Sequence, residues 1–370
     1  MSSDLFSNFT LGGTSFPNRI VVSPMAQYSA VRGVAQPWHL QHLGGLAASG
    51  PGLVMLESTS VEPQGYGSNV CLALHTDEQE QGLRDLLTAI RAFSNTRFGI
   101  QFGHSGRKAS THSPITGRGP LRSENGGWTT YAPSAICYGE GWPTPTELNA
   151  DGLRRVKKAY TQATERAARL DLDLIELHGA HGYLLHSFLS PLSNLRTDGY
   201  GGSLSNRTRF VAEVVEEMRK LWPKNRVLGI RLNSSDWQDG GLTVDDTVTI
   251  ASSLRESGCD YICISAGALT DKSRISASPA YLAPFSRKVR TEARIPTMVT
   301  GLIADPRIAE RVIRDGDADM VAIARAFLDN PRWVWHAAQT LGHTLDYPMQ
   351  YERASPGAWP LAASLRSSQA

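Results

Sequence analysis

Two histidines three residues apart, His178 and His181, stand in the segment Ile-Glu-Leu-His-Gly-Ala-His-Gly-Tyr that runs from Ile175 to Tyr183. A short apolar run ends abruptly there, and Tyr183 follows the second histidine by two positions. Two imidazoles on one short loop can hold negative charge developing on a carbonyl oxygen. A tyrosine beside them can deliver a proton as a general acid. The same pair could serve a metal, since histidine is a common zinc ligand. That reading needs a third ligand from elsewhere, because the loop lacks a helical His-Glu-x-x-His pattern.

Something must position this loop. Eight short apolar runs rich in branched residues punctuate the chain: Ile20–Ser23, Leu53–Leu56, Phe98–Phe102, Leu174–Leu177, Val227–Leu232, Tyr261–Ser265, Thr297–Thr300 and Met320–Ile323. Nearly continuous runs of this length suit strands buried on both faces of a parallel sheet. Helical patterns lie between them. Arg207–Leu221 puts Phe210, Val214, Val215 and Met218 on one face, Thr243 opens another helix ahead of Asp245 and Asp246, and Asp305–Pro306 starts a third. The alternation predicts an α/β fold, a (β/α)8 TIM barrel rather than an open sheet. No Gly-x-Gly-x-x-Gly follows the first strand, which weakens a nucleotide-fold alternative. Phe6–Asn18 reads as an N-terminal hairpin turning at Gly12–Gly13. A chain of 370 residues would often hold two domains, but barrels run this long as one. We therefore expect one barrel domain over 1–353, a lid-like loop over 112–145 after the third strand, and a flexible tail over 354–370.

In such a barrel the C-terminal strand ends face the active site. Strand one ends Ser23-Pro24-Met25-Ala26-Gln27-Tyr28, strand two at Ser58, and strand three at Gln101 with Lys108 beyond. Strand five carries Arg231, strand seven ends Thr300-Gly301-Leu302, and strand eight ends Ala324-Arg325. Small residues at the last two strands suit a phosphate site built from backbone N–H groups, with Arg325 adding charge. Gln101 and Arg231 suit the edge of a planar heteroaromatic ring. A flavin mononucleotide would satisfy both halves. Taken singly, each residue has a plainer use: Arg231 could pair with a carboxylate such as Glu57, and Lys108 could be a solvated charge.

Longer motifs carry a resemblance. Ser-Pro-Met at 23–25, Gly-Arg-Lys at 106–108, His-x-x-His-Gly-Tyr at 178–183, Ser-Pro-Leu-Ser-Asn-x-Arg-Thr-Asp-x-Tyr-Gly-Gly-Ser at 190–203 and Gln-Tyr-Glu-Arg at 350–353 occur in this order. Over roughly Phe6–Arg353 the chain resembles the old yellow enzyme family of FMN-dependent ene-reductases, and is most similar to its bacterial xenobiotic-reductase-like branch. The resemblance implies FMN as cofactor and NADPH or NADH as hydride donor. It implies that Ser23, Pro24, Met25 and Ala26 line the flavin, that Ser58 and Gln101 meet its pyrimidine edge, and that Arg231 sits near N1. Gly301, Leu302, Ala324 and Arg325 would hold the phosphate. His178 and His181 would donate to the carbonyl oxygen of an electron-poor alkene, Tyr183 would protonate its α-carbon, and Tyr28 would shape the pocket. Arg353 would reach a neighbouring subunit's site, which implies a homodimer or dimer-built tetramer. Two positions depart from the pattern: Ala26, where relatives usually place cysteine, and Ala324, where glycine is frequent.

Bulk properties narrow the classes. The 37 basic and 35 acidic residues give a net charge of +2, which argues against nucleic acid or a membrane surface as partner. Cys71, Cys137, Cys259 and Cys263 form no Cys-x-x-Cys pair, so neither a cluster nor a disulfide framework is indicated. With no basic leader and no long apolar run, a cytoplasmic setting is expected. Three functions compete at this point: a flavin ene-reductase, a flavin-free lyase or metal-dependent hydrolase using His178 and His181, and a flavoprotein kept for binding.

Overall fold

The structure is a computed structural model and describes residues 3–361. Residues 362–370 of the expected tail lie outside it. An antiparallel hairpin, β1 (Phe9–Leu11) and β2 (Thr14–Phe16), opens the chain as its Gly12–Gly13 turn predicts. The barrel begins with β3 (Ile20–Val22), β4 (Leu53–Ser60) and β5 (Arg97–Gly103). A small parallel pair, β6 (Tyr131–Ala132) and β7 (Thr146–Glu147), interrupts it inside the long loop. The barrel continues with β8 (Leu174–Gly179), β9 (Val227–Asn233), β10 (Tyr261–Ser265), β11 (Thr297–Val299) and β12 (Met320–Ile323). Every one of the eight barrel pairings is parallel, and β12 closes onto β3. The architecture is a (β/α)8 barrel, and each expected apolar run overlaps one of its strands.

Helices cover the outside: α1 (Pro37–Ala47), α2 (Asp77–Arg91), α3 (Ala150–Arg169), α4 (Leu184–Leu189), α5 (Leu204–Leu221), α6 (Val244–Glu256), α7 (Ala283–Glu292) and α8 (Pro306–Arg314). A short α9 (Arg325–Asp329) follows β12. Several starts are fixed by side-chain caps that satisfy otherwise orphaned N–H groups. Thr243 and Asp246 form a reciprocal capping box, and Asp305 accepts from Arg307 and Ile308. The helix expected from Arg207 begins three residues earlier, because Ser203 accepts from the Asn206 N–H and caps it there.

The barrel has one sealed end and one open end. Leu11 and Phe16 of the hairpin join Val21, Leu53, Leu174, Val227, Met298 and Met320 in a buried apolar cluster. Leu53, Leu174, Val227 and Met320 are the first residues of their strands, so the hairpin plugs that end. Polar residues are left for the opposite end. One irregularity matters there: β4 bulges between Leu56 and Ser58, so that Ser58, not Glu57, pairs with Gln101 of β5. A bulge of this kind re-aims the side chains around it.

Candidate active site

Side chains two apart on a strand share a face, so Glu176 and His178 of β8 both point into the barrel. Glu176 is wholly buried. Its Oε1 accepts from Gln101 Nε2 of β5 at 2.7 Å, and its Oε2 accepts from the Tyr261 hydroxyl of β10 at 2.9 Å. Arg231 of β9 places Nε 3.2 Å from Glu176 Oε1, and its Nη2 donates to Ser23 Oγ of β3 at 3.1 Å. Arg231 therefore pairs with Glu176; Glu57 instead faces His39 at 3.3 Å. Room for this layer comes partly from Gly229, where a Cβ would fall 2.1 Å from the Tyr261 ring.

His178 is one layer higher, at the end of β8 and in register with Arg231. Its Nδ1 accepts from the Ala180 N–H at 3.4 Å, which leaves the proton on Nε2. His178 Nε2 and His181 Nδ1 converge to 3.3 Å, and His181 Nε2 lies 2.7 Å from Ser265 Oγ. If the serine hydroxyl donates to Nε2, the His181 proton sits on Nδ1, and both imidazoles can donate to one oxygen placed between them. His181 has φ +58°, a left-handed backbone that costs a non-glycine residue about 1–2 kcal/mol. Asn233 of β9 accepts from the His181 N–H at 3.2 Å and helps hold it there. Burial, followed by the positive charges of Arg231 and Lys108 and by neighbouring histidines, keeps both imidazoles neutral well below the usual histidine range.

Tyr183 packs edge-on against His178, with ring centroids 4.6 Å apart. Burial, with smaller contributions from Cys71, Tyr28 and Tyr138, pushes its phenol up to about 12, so it carries its proton at neutral pH. Lys108 Nζ donates to the carbonyls of His181 at 2.7 Å and Ala268 at 3.0 Å and lies over the Tyr183 ring. Burial and then Arg107 bring its pKa down to about 7. Lys108 is thus no solvated charge.

Two cavities open beside these groups. The first, about 400 Å³, is lined by Ala26, Tyr28, Ser58, Cys71, Lys108 and Tyr183, together with His112, Arg118 and Trp142 of the long loop. The second, about 430 Å³, is lined by Ser23, Pro24, Arg231, Ser265, Gly301, Leu302, Ala324 and Arg325. The chain passes from the second cavity at Pro24 to the first at Ala26. The histidine pair links them, since His178 abuts Tyr183 in one and His181 contacts Ser265 in the other. Gln101 is buried below, and Met25 packs against the core. Arg353 lines neither cavity and is exposed on a short 3-10 segment, Met349–Ala354.

Residues 4–343 match the model of the NADH:flavin oxidoreductase / NADH oxidase family. The chain is 39% identical over 355 residues to an NADPH dehydrogenase of Geobacillus sp. (strain WCH70), covering 95% of this chain and 99% of that one. An NADPH dehydrogenase of Bacillus subtilis (strain 168) is 36% identical over the same shares of the two chains. Among solved structures, morphinone reductase superposes with a TM-score of 0.76 at 28% identity, over 94% of this chain and 92% of that one. This chain belongs to the NADH:flavin oxidoreductase / NADH oxidase family, the old yellow enzyme family that its motifs resemble. It is an oxidoreductase with FMN as cofactor and a nicotinamide as hydride donor.

The residues fit FMN. Arg231 lines the second cavity with its charge held in place by Glu176, which suits the edge of a flavin ring there. Gly301 has φ +114°, and a Cβ there would press on Tyr281 and Leu282 at 3.2 Å, which keeps the second cavity's wall bare backbone. Arg325 makes no ion pair among the described residues, which leaves its charge for an anion. By contrast, no three potential ligands converge for a metal among the described residues, so the hydrolase alternative lacks its third ligand. Sequence reasoning assigned nothing to Glu176 or Asn233, and placed Ser265 at the active-site end of strand six without a role. Glu176 and Ser265 were visible as polar residues inside apolar runs, the signal that could have found them.

The neutral histidines give a test. In the unfolded chain an imidazole takes its proton near pH 6.5, as a rough reference, whereas the folded pair stays neutral well below that. The unfolded state then binds more protons on acidification, so stability is full above about pH 6.5 and falls below it, by up to about 1.4 kcal/mol per pH unit per imidazole. Chemical denaturation of the holoprotein at neutral and mildly acidic pH should show His178→Asn losing less stability on acidification than the parent. Equal losses would contradict neutral burial.

Proposed function

We propose that this enzyme reduces the C=C bond of electron-poor alkenes, α,β-unsaturated carbonyl or nitro compounds, with NADPH or NADH as donor. The observation that carries the proposal is the convergence of His178 Nε2 and His181 Nδ1 beside the Tyr183 ring, at the junction of two cavities. Bound FMN supplies the hydride. Ser23, Pro24, Met25, Ala26, Ser58, Gln101 and Arg231 hold its ring, and Gly301, Leu302, Ala324 and Arg325 its phosphate. His178 and His181 hydrogen-bond the acceptor oxygen, drawing electron density from the β-carbon. They act as neutral donors and are preorganised by the strand end and by Ser265. Tyr183 gives its proton to the α-carbon. Tyr28 and the loop residues of the first cavity shape the space around the acceptor.

The named relatives are NADPH dehydrogenases, which favours NADPH as donor. Anaerobic addition of NADPH to the yellow holoprotein should bleach it, and cyclohexenone should restore the colour. Bleaching with no enone-dependent return would favour a binding flavoprotein. Truncating either histidine to alanine should lower turnover about 10²–10³-fold, by analogy with loss of an oxyanion donor. Tyr183→Phe should lower it about 10²-fold or more for acceptors that need proton delivery. Turnover within twofold of wild type in these variants contradicts the assigned roles.

We also propose that Arg353 completes a neighbouring subunit's site, in a homodimer or dimer-built tetramer. Its exposure and its absence from the two cavities beside the histidine pair support this. Light scattering should show the oligomer, and Arg353→Ala should raise the acceptor KM. A fully active monomer would overturn the shared site.

A further inference from the structure

Lys108 contributes to the first cavity, yet its strongest contacts are with the backbone. Its Nζ reaches two carbonyls, of His181 at 2.7 Å and of Ala268 at 3.0 Å. Both acceptors belong to non-glycine residues in left-handed backbone, His181 at φ +58° and Ala268 at φ +61°. Side chains rarely allow that conformation, so something must hold it in each case. The two residues come from different loops, one after β8 and one after β10. A second side chain ties the same loops: Asn233 Oδ1 accepts from the His181 N–H at 3.2 Å, and Asn233 Nδ2 donates to the Gly267 carbonyl at 2.9 Å. The His181 peptide groups are therefore gripped on both sides, N–H by Asn233 and C=O by Lys108. The loops also touch directly, since a Cβ on Gly182 would fall 2.5 Å from the Ala268 carbonyl oxygen.

We propose that Lys108 is a positioning residue: its Nζ clasps the carbonyls of His181 and Ala268 and holds both loops in the left-handed turns that aim the His181 ring. The clasp acts through His181 on the acceptor oxygen. It needs no contact between Lys108 and the acceptor. Its position over the faces of Tyr138 and Tyr183, 4.5 and 5.0 Å from the ring centroids, keeps Nζ in place between the loops. The proposal rests on the role assigned to the histidine pair. Turnover of cyclohexenone by the His178→Ala and His181→Ala variants tests that role separately.

The test uses the FMN-loaded protein. Lys108→Met removes both donated bonds. It should lower kcat/KM for cyclohexenone about tenfold or more, the size expected of lost charge-assisted hydrogen bonds, with FMN content unchanged. Amide hydrogen exchange should quicken at residues 180–183 and 266–269 and not in the barrel strands. Ala268→Gly supplies the decisive comparison, because glycine enters the left-handed region at no steric cost. Alone it should leave kcat/KM within about twofold of wild type, whereas in the Lys108→Met background it should recover about threefold or more. If Lys108→Met does not accumulate folded, Lys108→Gln, which keeps a shorter donor, serves in the same comparison. No recovery by Ala268→Gly, or exchange rates equal to wild type, would overturn the clasp and point to direct contact between Lys108 and the acceptor.

Discussion

The site depends on one buried carboxylate. Glu176 is fully enclosed and sits among Gln101, Arg231 and Tyr261, side chains from three other strands. An ionised carboxylate in that position is costly unless it is paired and hydrogen-bonded. Here both oxygens have partners, and one partner is an arginine whose charge is permanent. The pairing runs both ways. Removing one member of a buried pair commonly costs about 3–5 kcal/mol, because the survivor is left uncompensated. Of the groups thus fixed, Arg231 also lines the second cavity. The interaction that makes a charged layer tolerable inside the barrel also sets the geometry of its upper rim.

Above this layer the site is built from loops, and the fold supplies their constraints in an asymmetric way. The N-terminal end is plugged by Leu11 and Phe16 and carries little chemistry. The C-terminal end carries left-handed residues at His181, Ala268 and Leu302. Strain of this kind persists only when the surroundings over-determine it, and Asn233, Ser265 and Lys108 do so around His181. Rigid strands below and cross-tied loops above let two neutral imidazoles face one point in space. For the proposed function, position and charge state would both be settled before an acceptor arrives, which is what preorganised electrostatic stabilisation requires.

Much of this was legible in the sequence, for physical reasons. Buried parallel strands leave continuous apolar runs, so all eight barrel strands were visible, and the Thr243 and Asp305 caps announced their helices. The His-Gly-Ala-His-Gly-Tyr segment stood out because a strand has no need of such an ending. Helix starts were less legible, since the Ser203 cap starts the helix at Leu204, three residues before the expected Arg207. The support of the site was hardest to read. Arg231 needs a carboxylate, but pairing depends on barrel register across strands, and the sequence pointed to Glu57, which faces His39 beside a bulge in β4, rather than to Glu176. Lys108 could be read as a solvated charge because a side chain that grips distant backbone carbonyls has no local pattern. Asn233 and Ser265 act through loops that meet only when the barrel closes.

The claim that Glu176 organises the cofactor-binding rim is tested most directly by FMN affinity. Titration of FMN into apoprotein, followed by flavin fluorescence, should show Glu176→Gln binding about tenfold or more weakly than wild type, the scale set by loss of a buried charged partner. The variant should remain folded, with its barrel secondary structure intact. A folded Glu176→Gln protein whose FMN affinity lies within about twofold of wild type would contradict the account.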